Sequence, residues 1–583
     1  MHGKAVGTTI PNPTQSASCG LLETDKKGKM PNKVVPSSIS NWQDQLAASL
    51  PVIGLALFLA LTILPVLALL WIAAASSGES WQHLLNYVLP RSVWDTAILL
   101  LGVAMGTTIL GAGCAWLTCI YEFPGRRFFT WAQVLPLAVP TYIAAYTHVE
   151  FFDYSGPVQS SLRDLFGFAT SRDYWFPDIR TLGGAGFIFS LVLYPYVFLT
   201  SRLVFSMQGA SALDVARSLG AGQFELFWRI ALPMARPAVA AGVALALMET
   251  LNDIGAVEIL GVRTLTYAVF ETWLNRDNLV GAVQLALLTL LVIAVLIWIE
   301  RRARRHRSYA TAARERPASL IELSPAKRAL CLLACSTPLL FGLVIPLWVL
   351  GGYALRRLGS AFDPDMLAAA ANSFLVAIAS ATLATIAAYC ILQYGRITQK
   401  PGVSTIGRIA SLGYAVPGTV LAVGLLIPLA GFDNWLDGLM RDQFGYSTGL
   451  LFSGSVAIII YACSLRFMAI SYGTIEAGFL RVSPSIDMAA RALGRNPREM
   501  AWQIHRPILT RAMSIAFLLV FVDTMKELSA TILLRPFNFE TLATFIYDRA
   551  SQSALEDAAL ASIVIVLIGF VPVLFLTRLS KTI

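Results

Sequence analysis

The stretch "LDVARSLGAGQFELFWRIALP", residues 213–233, is polar, charged and interrupted by glycine, although very apolar sequence lies on both sides of it. A second stretch, "IDMAARALGRNPREMAWQIHRP", residues 486–507, has nearly the same pattern. Gly220 of the first matches Gly494 of the second, and 494 − 220 = 274. Two polar hairpins of one design in an apolar chain indicate that the chain consists of two related halves.

Other landmarks repeat at nearly the same spacing, so the similarity extends well beyond the hairpins. The following pairs are 274 or 277 residues apart: Pro233 and Pro507, Thr250 and Thr524, Ala256 and Ala530, Pro140 and Pro417, Thr264 and Thr541. Agreement at this many positions indicates an internal repeat. Because each half has an even number of apolar segments, we expect the two halves to have the same orientation, as a parallel repeat.

The composition predicts a membrane protein. The chain has 583 residues, of which 14% are charged, and its mean hydropathy is +0.65. A helix needs about 20 apolar residues to span a bilayer, and about twelve stretches qualify. We predict an all-α bundle of two parallel six-helix repeats, because an open sheet cannot satisfy its backbone in lipid. The stretches centre on Leu61, Gly106, Leu137, Leu193, Ala246, Leu291, Leu340, Leu383, Leu421, Ile459, Leu519 and Val566.

The net charge of +9 does not indicate a nucleic-acid-binding protein, because the basic residues lie in loops between spans. All of these basic segments fall on one side if the N-terminus is cytoplasmic and the chain has twelve spans. This predicts a multi-pass bacterial inner-membrane protein with both termini in the cytoplasm. The basic residues concerned are Lys26, Lys27, Lys29, Lys33, Arg126, Arg127, Arg301, Arg302, Arg304, Arg305, Arg307, Arg314, Arg316, Arg578 and Lys581.

The same pattern divides the chain into segments. Residues 1–45 are polar and predict a disordered cytoplasmic tail. Residues 46–299 form the first six-helix half, and residues 329–583 form the second. Between them, residues 300–328 form a basic cytoplasmic linker.

Each hairpin predicts helix, glycine turn, helix. In the first hairpin, residues 211–233, Ser211 is placed to cap a short helix that ends at Gly220. In the second hairpin, residues 483–507, a serine–proline pair begins the helix, Gly494 ends it, and Asn496 begins the next helix. We therefore expect positive φ at both glycines. An amphipathic loop on the membrane surface would also fit one hairpin alone, but two equivalent hairpins favour docking of two copies of one partner.

The hairpins resemble the EAA motif of ABC importer permeases. The pattern is an acidic residue, alanine two positions later, glycine after three further residues, and a closing proline. The second copy has Met488 at the acidic position, with Asp487 beside it, and Arg506 where leucine is expected. In that family the motif forms the coupling helix that fits a groove of the cytoplasmic ATPase. The positions that take this role by resemblance are Asp214, Ala216, Gly220, Pro233, Asp487, Ala490, Gly494 and Pro507.

This resemblance implies the type I ABC importer permease fold and a pore subunit that is not itself an enzyme. The chain contains no G-x-x-x-x-G-K-[ST] phosphate-binding pattern, so ATP and Mg²⁺ are expected on partner subunits and no cofactor on this chain. Two hairpins imply two ATP-binding cassette subunits. The family also implies a periplasmic substrate-binding protein as a partner.

The segments that follow the hairpins narrow the resemblance. "METLNDIGAVEILGVRTL", residues 248–265, and "VDTMKELSATILLRPFNFETLA", residues 522–543, resemble fused double permeases of bacterial ferric iron importers. Fused thiamine permeases are near relatives, so thiamine, another small cation or a polyamine remains an alternative substrate. A secondary transporter driven by ion gradients is the alternative from another class, but it has no need of two glycine-broken hairpins.

Four carboxylates occupy equivalent positions in the two halves. Glu249 matches Asp523, and Asp253 matches Glu527, each at an offset of 274. The i, i+4 spacing places both carboxylates of a pair on one helix face. Intramembrane carboxylates are costly and face a cavity or a partner, and hard oxygen ligands suit a hard cation such as Fe³⁺. We expect them either to line the substrate path or to be neutralised by Lys526, Arg263 or Arg535. No cysteine pattern predicts a metal site, and no residue is assigned as a metal ligand.

Overall fold

The structure is a computed structural model that describes residues 59–74, 79–207, 219–220, 222–304, 320–359, 363–398, 407, 413–414 and 416–580. Several predictions lie outside the described residues. These are the N-terminal tail, Ser211, Asp214, Ala216 and the linker segment 305–319.

The first half contains ten helices. They are α1 Leu59–Ala74, α2 Trp81–Ile120, α3 Arg126–Ala132, α4 Thr141–Phe152, α5 Pro157–Phe166, α6 Leu182–Met207, α7 Gln223–Asn252, α8 Gly255–Ile259, α9 Leu265–Phe270 and α10 Leu279–Arg304 among the described residues. A two-residue strand, β1 Tyr121–Glu122, follows α2.

The second half has nine helices within the described ranges. They are α11 Pro325–Arg356, α12 Pro364–Thr398, α13 Gly418–Phe444, α14 Val456–Phe479, α15 Pro484–Ala492, α16 Pro497–Met525, α17 Thr531–Leu534, α18 Leu542–Ser551 and α19 Leu555–Ser580. Strand β2, Ile321–Glu322, precedes α11. Helix α11 begins at Pro325, so it includes the last residues of the predicted linker.

The prediction of an all-α membrane protein is confirmed. Ten described helices are long and apolar enough to cross a membrane, and α1 is a shorter apolar helix. The span predicted around Leu137 is not one straight helix, because the segments Arg126–Ala138 and Thr141–Phe166 meet at 94°. Pro140 lies at this break and has no N–H for a continuing helix. Each of the twelve predicted centres nevertheless falls within one of these segments.

The internal repeat is visible in individual hydrogen bonds. The backbone N–H of Leu265 donates to Oγ1 of Thr96 over 2.9 Å. The N–H of Leu542 donates to Oγ of Ser373 over 2.7 Å. Both partners are displaced by the same offset, since 542 − 265 = 277 and 373 − 96 = 277. The same contact therefore begins α9 in the first half and α18 in the second.

The halves also share an irregularity at the start of α7 and α16. Residues Leu226–Ala231 form a π-helical turn, and Met500–His505 form another. These turns are equivalent, because 500 − 226 and 505 − 231 are both 274. Such π-turns are uncommon and often mark functional sites. Here both join a hairpin to the membrane helix that follows it.

The two halves pack directly against each other, and in the described part of the chain two of the three clusters of buried apolar residues contain side chains from both halves. Helix α11 of the second half packs against α4 of the first, and α10 packs against α13. Strands β1 and β2 pair in parallel across the junction. A polar site between the halves is therefore surrounded by well-packed helices.

Candidate functional site

A cavity of about 110 Å³ lies between the halves, at points where three helices are interrupted. The interruptions are at Pro140, at Asp253 and at residues 526–529. Helix breaks at membrane depth leave backbone groups that need polar partners, so they occur where protein or a cavity surrounds them. We call this the central cavity. Its polar lining consists of Thr141, Tyr142, Tyr196, Glu249, Asn252, Asp253, Arg466, Asp523, Lys526, Glu527 and Ser529.

All four carboxylates singled out from the sequence line the central cavity. Their placement differs from the prediction in one respect. Helix α7 ends at Asn252, so Asp253 lies just beyond it in extended backbone, and Glu527 likewise follows the end of α16. The prediction that each pair lies on a single helix face is therefore wrong for these two residues.

Asp253 and Glu527 leave their helices because each caps the short helix that follows. Asp253 Oδ1 accepts a hydrogen bond from the N–H of Ala256 at 2.7 Å. Glu527 Oε1 accepts one from the N–H of Ala530 at 2.9 Å. The two caps are equivalent by the repeat, and a carboxylate is favoured at a helix N-terminus by its unpaired N–H groups and its dipole. These two carboxylates thus have a structural role.

The remaining partners in the central cavity differ between the halves. The hydroxyl of Thr141 donates to Asp253, and that of Tyr414 donates to Glu249. Glu527 forms a buried ion pair with Arg466. Asp523 has the weakest polar contacts of the four carboxylates. Its partner atom, Lys526 Nζ, lies 3.4 Å away, and 34% of the Asp523 side chain is exposed.

Equivalent helix starts of the two halves converge on the break after α7. Thr141 begins α4 and Gly418 begins α13, and 418 − 141 = 277. Thr141 donates to Asp253, while the N–H of Gly418 donates to Oδ1 of Asn252 over 3.2 Å. The break at residues 252–253 is therefore held by both halves.

Sequence reasoning missed Arg466, which carries one of the two positive charges that line the central cavity. Arg466 is 4% exposed in the middle of α14. A lone arginine in an apolar span was a usable signal, because such residues usually face a cavity or a partner. Of the three bases expected to neutralise the carboxylates, Lys526 lines the cavity. Arg535 pairs instead with Asp548 at 2.7 Å, and Arg263 is not among the lining residues.

The central cavity therefore offers four carboxylates and two bases to a passing solute. In the part of the chain that the structure describes, no group of three or more His, Cys, Asp or Glu side chains is arranged to hold a metal ion. The geometry suits transient electrostatic contact with a charged solute. Asp523 and Lys526 are its most accessible charges.

The second hairpin has the local structure that the sequence predicts. Ser483 caps α15 by accepting from the N–H of Ser485, and Asn496 forms a capping box with Glu499. Gly494 has φ of +74°, and Gly220 in the first hairpin has φ of +86°. Both glycines therefore adopt the left-handed conformation expected at a helix C-terminus.

Asp487 is not on the exposed face of α15, contrary to its assignment as a docking residue. Its Oδ2 accepts from Nε of Arg396 at 2.7 Å, and its Oδ1 lies 2.8 Å from Nε2 of His505. Partial burial raises the pKa of this carboxyl, but the hydrogen bonds from His505 and Arg396 outweigh burial and hold the pKa below its usual range. Asp487 fastens α15 to α12 and α16.

The other predicted hairpin residues divide into buried and exposed positions. Ala490 is 4% exposed, so it is buried rather than presented to a partner. Pro233 is half-buried within α7, and Pro507 is exposed within α16. Both prolines therefore belong to the membrane helices and lie near the ends of the hairpins.

Exposed apolar side chains mark the tips of both hairpins. Leu219 and Leu493 precede the two glycines and are each 81% exposed. They are equivalent, because 493 − 219 = 274. Met488, at the position where the motif expects an acidic residue, is 65% exposed. Large apolar side chains presented at equivalent sites indicate a surface for a protein partner.

Residues 45–308 match the family described as binding-protein-dependent transport system inner membrane component. The Fe(3+)-transport system permease protein FbpB 2 of Haemophilus influenzae is 25% identical over 494 residues, which cover 83% of this chain and 89% of that protein. The probable ABC transporter permease protein y4fN of Sinorhizobium fredii is 24% identical over 514 residues, 82% of this chain and 85% of that protein. The probable sulfate transport system permease protein cysT of Chlorokybus atmophyticus is 29% identical over 202 residues, 34% of this chain and 66% of that protein.

These similarities confirm the resemblance to ABC importer permeases, including those of the fused double type. The match over residues 45–308 supports the predicted type I importer permease fold. The chain resembles transport subunits of the inner membrane rather than enzymes. Proteins of this family depend on a binding protein, and their relatives carry different solutes.

Proposed function

We propose that this chain is the membrane permease subunit of a binding-protein-dependent ABC importer that carries ferric iron across the bacterial inner membrane. Both termini lie in the cytoplasm. Two ATP-binding cassette subunits, which bind ATP and Mg²⁺, dock on the first and second hairpins. A periplasmic binding protein delivers the substrate to the opposite face.

The proposal of two docking sites rests on the equivalence of the hairpins. Leu219 and Leu493 are exposed to the same extent beside glycines of the same backbone conformation. A surface that occurs twice by internal symmetry suits a partner that is present twice. Each hairpin leads through a π-helical turn into α7 or α16. Movement of the docked ATPases would therefore be transmitted directly to the helices that line the central cavity.

The proposal of ferric iron is supported mainly by the carboxylates of the central cavity. Glu249, Asp253, Asp523 and Glu527 surround one space between the halves. Carboxylate oxygens attract a hard trivalent cation and lower the cost of removing its water. Lys526 and Arg466 reduce the net field, which favours release over tight binding. The similarity to a Fe(3+) permease along 89% of that protein supports the same choice.

A small oxyanion is the second candidate substrate. Arg466 and Lys526 both line the central cavity, and the N-termini of α4 and α13 point their positive dipole ends at the same break. A sulfate permease is among the relatives of this chain. On this alternative the bases would contact substrate, and the carboxylates would only hold the bases in place.

Uptake into proteoliposomes distinguishes these candidates. The chain would be reconstituted with its ATPase and binding protein, and accumulation of radioactive Fe³⁺, sulfate or thiamine would be measured with ATP inside. ATP-dependent accumulation of Fe³⁺ alone supports the proposal. Accumulation of sulfate but not Fe³⁺ would favour the oxyanion candidate. Accumulation driven by an ion gradient without ATP would contradict the importer mechanism itself.

A further inference from the structure

A second cavity, of about 310 Å³, lies between α12 and α16 and takes no part in the function proposed above. We call it the α12–α16 cavity. It is lined by Thr385, Arg506, Thr510, Met513, Ser514 and Phe517. Arg506, Thr510 and Ser514 follow one another at intervals of four residues, so they form a polar stripe along one face of α16.

This stripe faces away from the central cavity. Ser514 and Asp523 are nine residues apart on the same helix, which is two and a half turns of about 3.6 residues each. Their side chains therefore leave α16 on opposite sides. On α12, the neighbours of Thr385 include Leu383 and Ile386, which are 51% and 52% exposed. Apolar side chains exposed on a membrane helix face lipid, so the α12–α16 cavity opens toward the bilayer.

Arg506 is placed at the membrane interface with its guanidinium available. It lies over the ring of Trp502, 4.8 Å from the ring centroid. Trp502 is 64% exposed, and its equivalent in the first half, Trp228, is 52% exposed. Tryptophans at the same level of both halves mark the interface, where indole rings prefer to lie. Within the described ranges, no carboxylate forms an ion pair with Arg506.

The inner end of the cavity contains an unsatisfied hydrogen-bonding group. Thr385 is 6% exposed, and its hydroxyl has no hydrogen-bond partner. A buried hydroxyl without a partner is unfavourable, because it has given up its hydrogen bonds to water. A helical threonine usually satisfies itself through a backbone carbonyl of the preceding turn. Its lack of such a bond at the wall of an open cavity indicates that a ligand supplies the partner.

We propose that the α12–α16 cavity binds an anionic phospholipid. The headgroup phosphate lies against Arg506 at the interface, with the hydroxyl of Ser514 below it. The Thr510 hydroxyl donates to the backbone carbonyl of Arg506 over 2.9 Å and lines the site without donating to the lipid. The ester region reaches the hydroxyl of Thr385, and one acyl chain follows Met513 and Phe517. Phosphate suits guanidinium because the two form paired, charge-assisted hydrogen bonds. Basic pockets between membrane helices are known to bind anionic headgroups.

The first half provides an internal contrast. The positions equivalent to Arg506, Thr510 and Ser514 are Leu232, Arg236 and Ala240, each 274 residues earlier in the chain. The first half has one arginine on this face but neither hydroxyl, so the sequence of one arginine followed by two hydroxyls belongs to the second half. We therefore expect the α12–α16 cavity to retain a lipid more tightly than the equivalent face of α7.

Native mass spectrometry of the full-length chain in detergent tests this proposal. Phosphatidylglycerol, phosphatidylcholine and inorganic phosphate would be titrated separately into wild-type protein, R506Q and R511Q. Arg511 is the matched control, because it is an exposed arginine of the same helix that does not line the cavity. We expect one retained phosphatidylglycerol on wild type and R511Q, and about fivefold weaker retention on R506Q, the effect of one basic residue near an anionic lipid.

The other outcomes overturn the proposal. If R506Q and R511Q lose the lipid equally, binding depends on general surface charge. If all three proteins retain the lipid equally, Arg506 does not bind the headgroup. If phosphatidylcholine is retained as tightly as phosphatidylglycerol, the site does not recognise the negative charge of the headgroup. Displacement of the lipid by inorganic phosphate alone would indicate a soluble anion site.

Thr385→Val provides a second test, because it should raise the Tm of the lipid-free protein but reduce the stabilisation by lipid. In delipidated protein the substitution removes an unsatisfied hydroxyl, so the Tm should rise slightly. The increase in Tm on adding phosphatidylglycerol should be smaller than in wild type, because the lipid loses its inner contact. An unchanged lipid-induced shift in the variant would contradict the assignment of Thr385 to the site.

Discussion

Oδ1 of Asp487 lies 2.8 Å from Nε2 of His505, so α15 of the second hairpin is joined to the first turns of α16 by side chains as well as by the chain itself. Arg396 holds the other oxygen of the same carboxylate from α12. The equivalent positions of the first half are Leu213 and Ala231, because 487 − 274 = 213 and 505 − 274 = 231. The second hairpin therefore has a polar link that the sequence of the first cannot form.

Asp487→Ala should loosen α15 without preventing membrane insertion. The variant leaves Arg396 and His505 without their shared acceptor, and we expect the opening free energy of α15 to fall by about 1–3 kcal/mol. Hydrogen–deuterium exchange of α15 measures this directly. Arg498→Ala is the matched control, since Arg498 is exposed on the same hairpin. Equal exchange in both variants would show that the link does not stabilise the hairpin.

The lowered pKa of Asp487 predicts a specific pH dependence. A carboxyl with a depressed pKa stabilises the fold above its unfolded value, and this stabilisation is lost as pH falls through the depressed value. The ordinary value is 3.8. The difference in Tm between wild type and Asp487→Asn should therefore stay constant between about pH 8 and pH 5 and shrink only in stronger acid. If the difference in Tm disappears near neutral pH, the stabilisation depends on the titration of a group other than Asp487.

At the two glycines with positive φ, the cost of a substitution should depend on how well the new residue adopts a positive φ, not on the size of its side chain. A Cβ at Gly494 would meet no atom within 4 Å, so only its φ of +74° opposes a side chain. Gly494→Val should cost about 1–2 kcal/mol in local stability and reduce stimulated ATP hydrolysis, while Gly494→Asn should cost less. Gly473→Ala is the control, because that glycine also has open space but no positive φ. Equal effects of valine and asparagine would exclude the conformational explanation.

The hairpin ends could be predicted from sequence because their causes are local. Gly494 and Asn496 act on residues within one turn of themselves, so their neighbours in the chain suffice. The role of Asp487 could not be found in this way, since Arg396 is 91 residues distant in the chain. Its side chain faces the fold because α12 supplies a partner there.

The carboxylates show the same limit within the central cavity. The i, i+4 spacing assumes that the helix continues, but Asp253 and Glu527 cap the next helix instead. Short polar side chains such as that of Asp253 compete with helix propagation in this way. The repeat offset still predicted that four carboxylates from two halves would meet, because internal symmetry relates distant residues without a model of packing.

The exposed leucines predict the number of docked ATPases. If each hairpin binds one subunit, Leu493→Asp should leave one ATPase bound, and the double variant with Leu219→Asp should leave none. Protein stability should change little, because both side chains are 81% exposed. Native mass of the purified complex gives the ratio. Leu165→Asp is the control, as Leu165 is 78% exposed outside both hairpins. Two permease chains per pair of ATPases in the wild-type complex would contradict the proposal.

The structure changes which carboxylates best test the substrate path. Glu527→Gln would leave Arg466 buried without its ion-pair partner, which lowers the stability of the fold by about 3–5 kcal/mol. A loss of transport in this variant could then result from misfolding. Asp253→Asn preserves a cap, because asparagine is as good at that position. Glu249 and Asp523 are the cleaner probes, since neither caps a helix and Asp523 is partly exposed to the cavity.

Glu249→Gln combined with Asp523→Asn should therefore reduce Fe³⁺ uptake about tenfold, equivalent to losing about 1.4 kcal/mol of stabilisation of the passing ion. Each single change should have a smaller effect, because the remaining carboxylates still attract the cation. ATPase docking and basal Tm should be unchanged, which separates loss of substrate contact from loss of assembly. If the double variant takes up Fe³⁺ at the wild-type rate, the carboxylates serve only to position Arg466, Lys526 and the helix breaks. A variant that loses Fe³⁺ uptake but gains sulfate uptake would instead show that the balance of acids and bases in the central cavity selects the substrate.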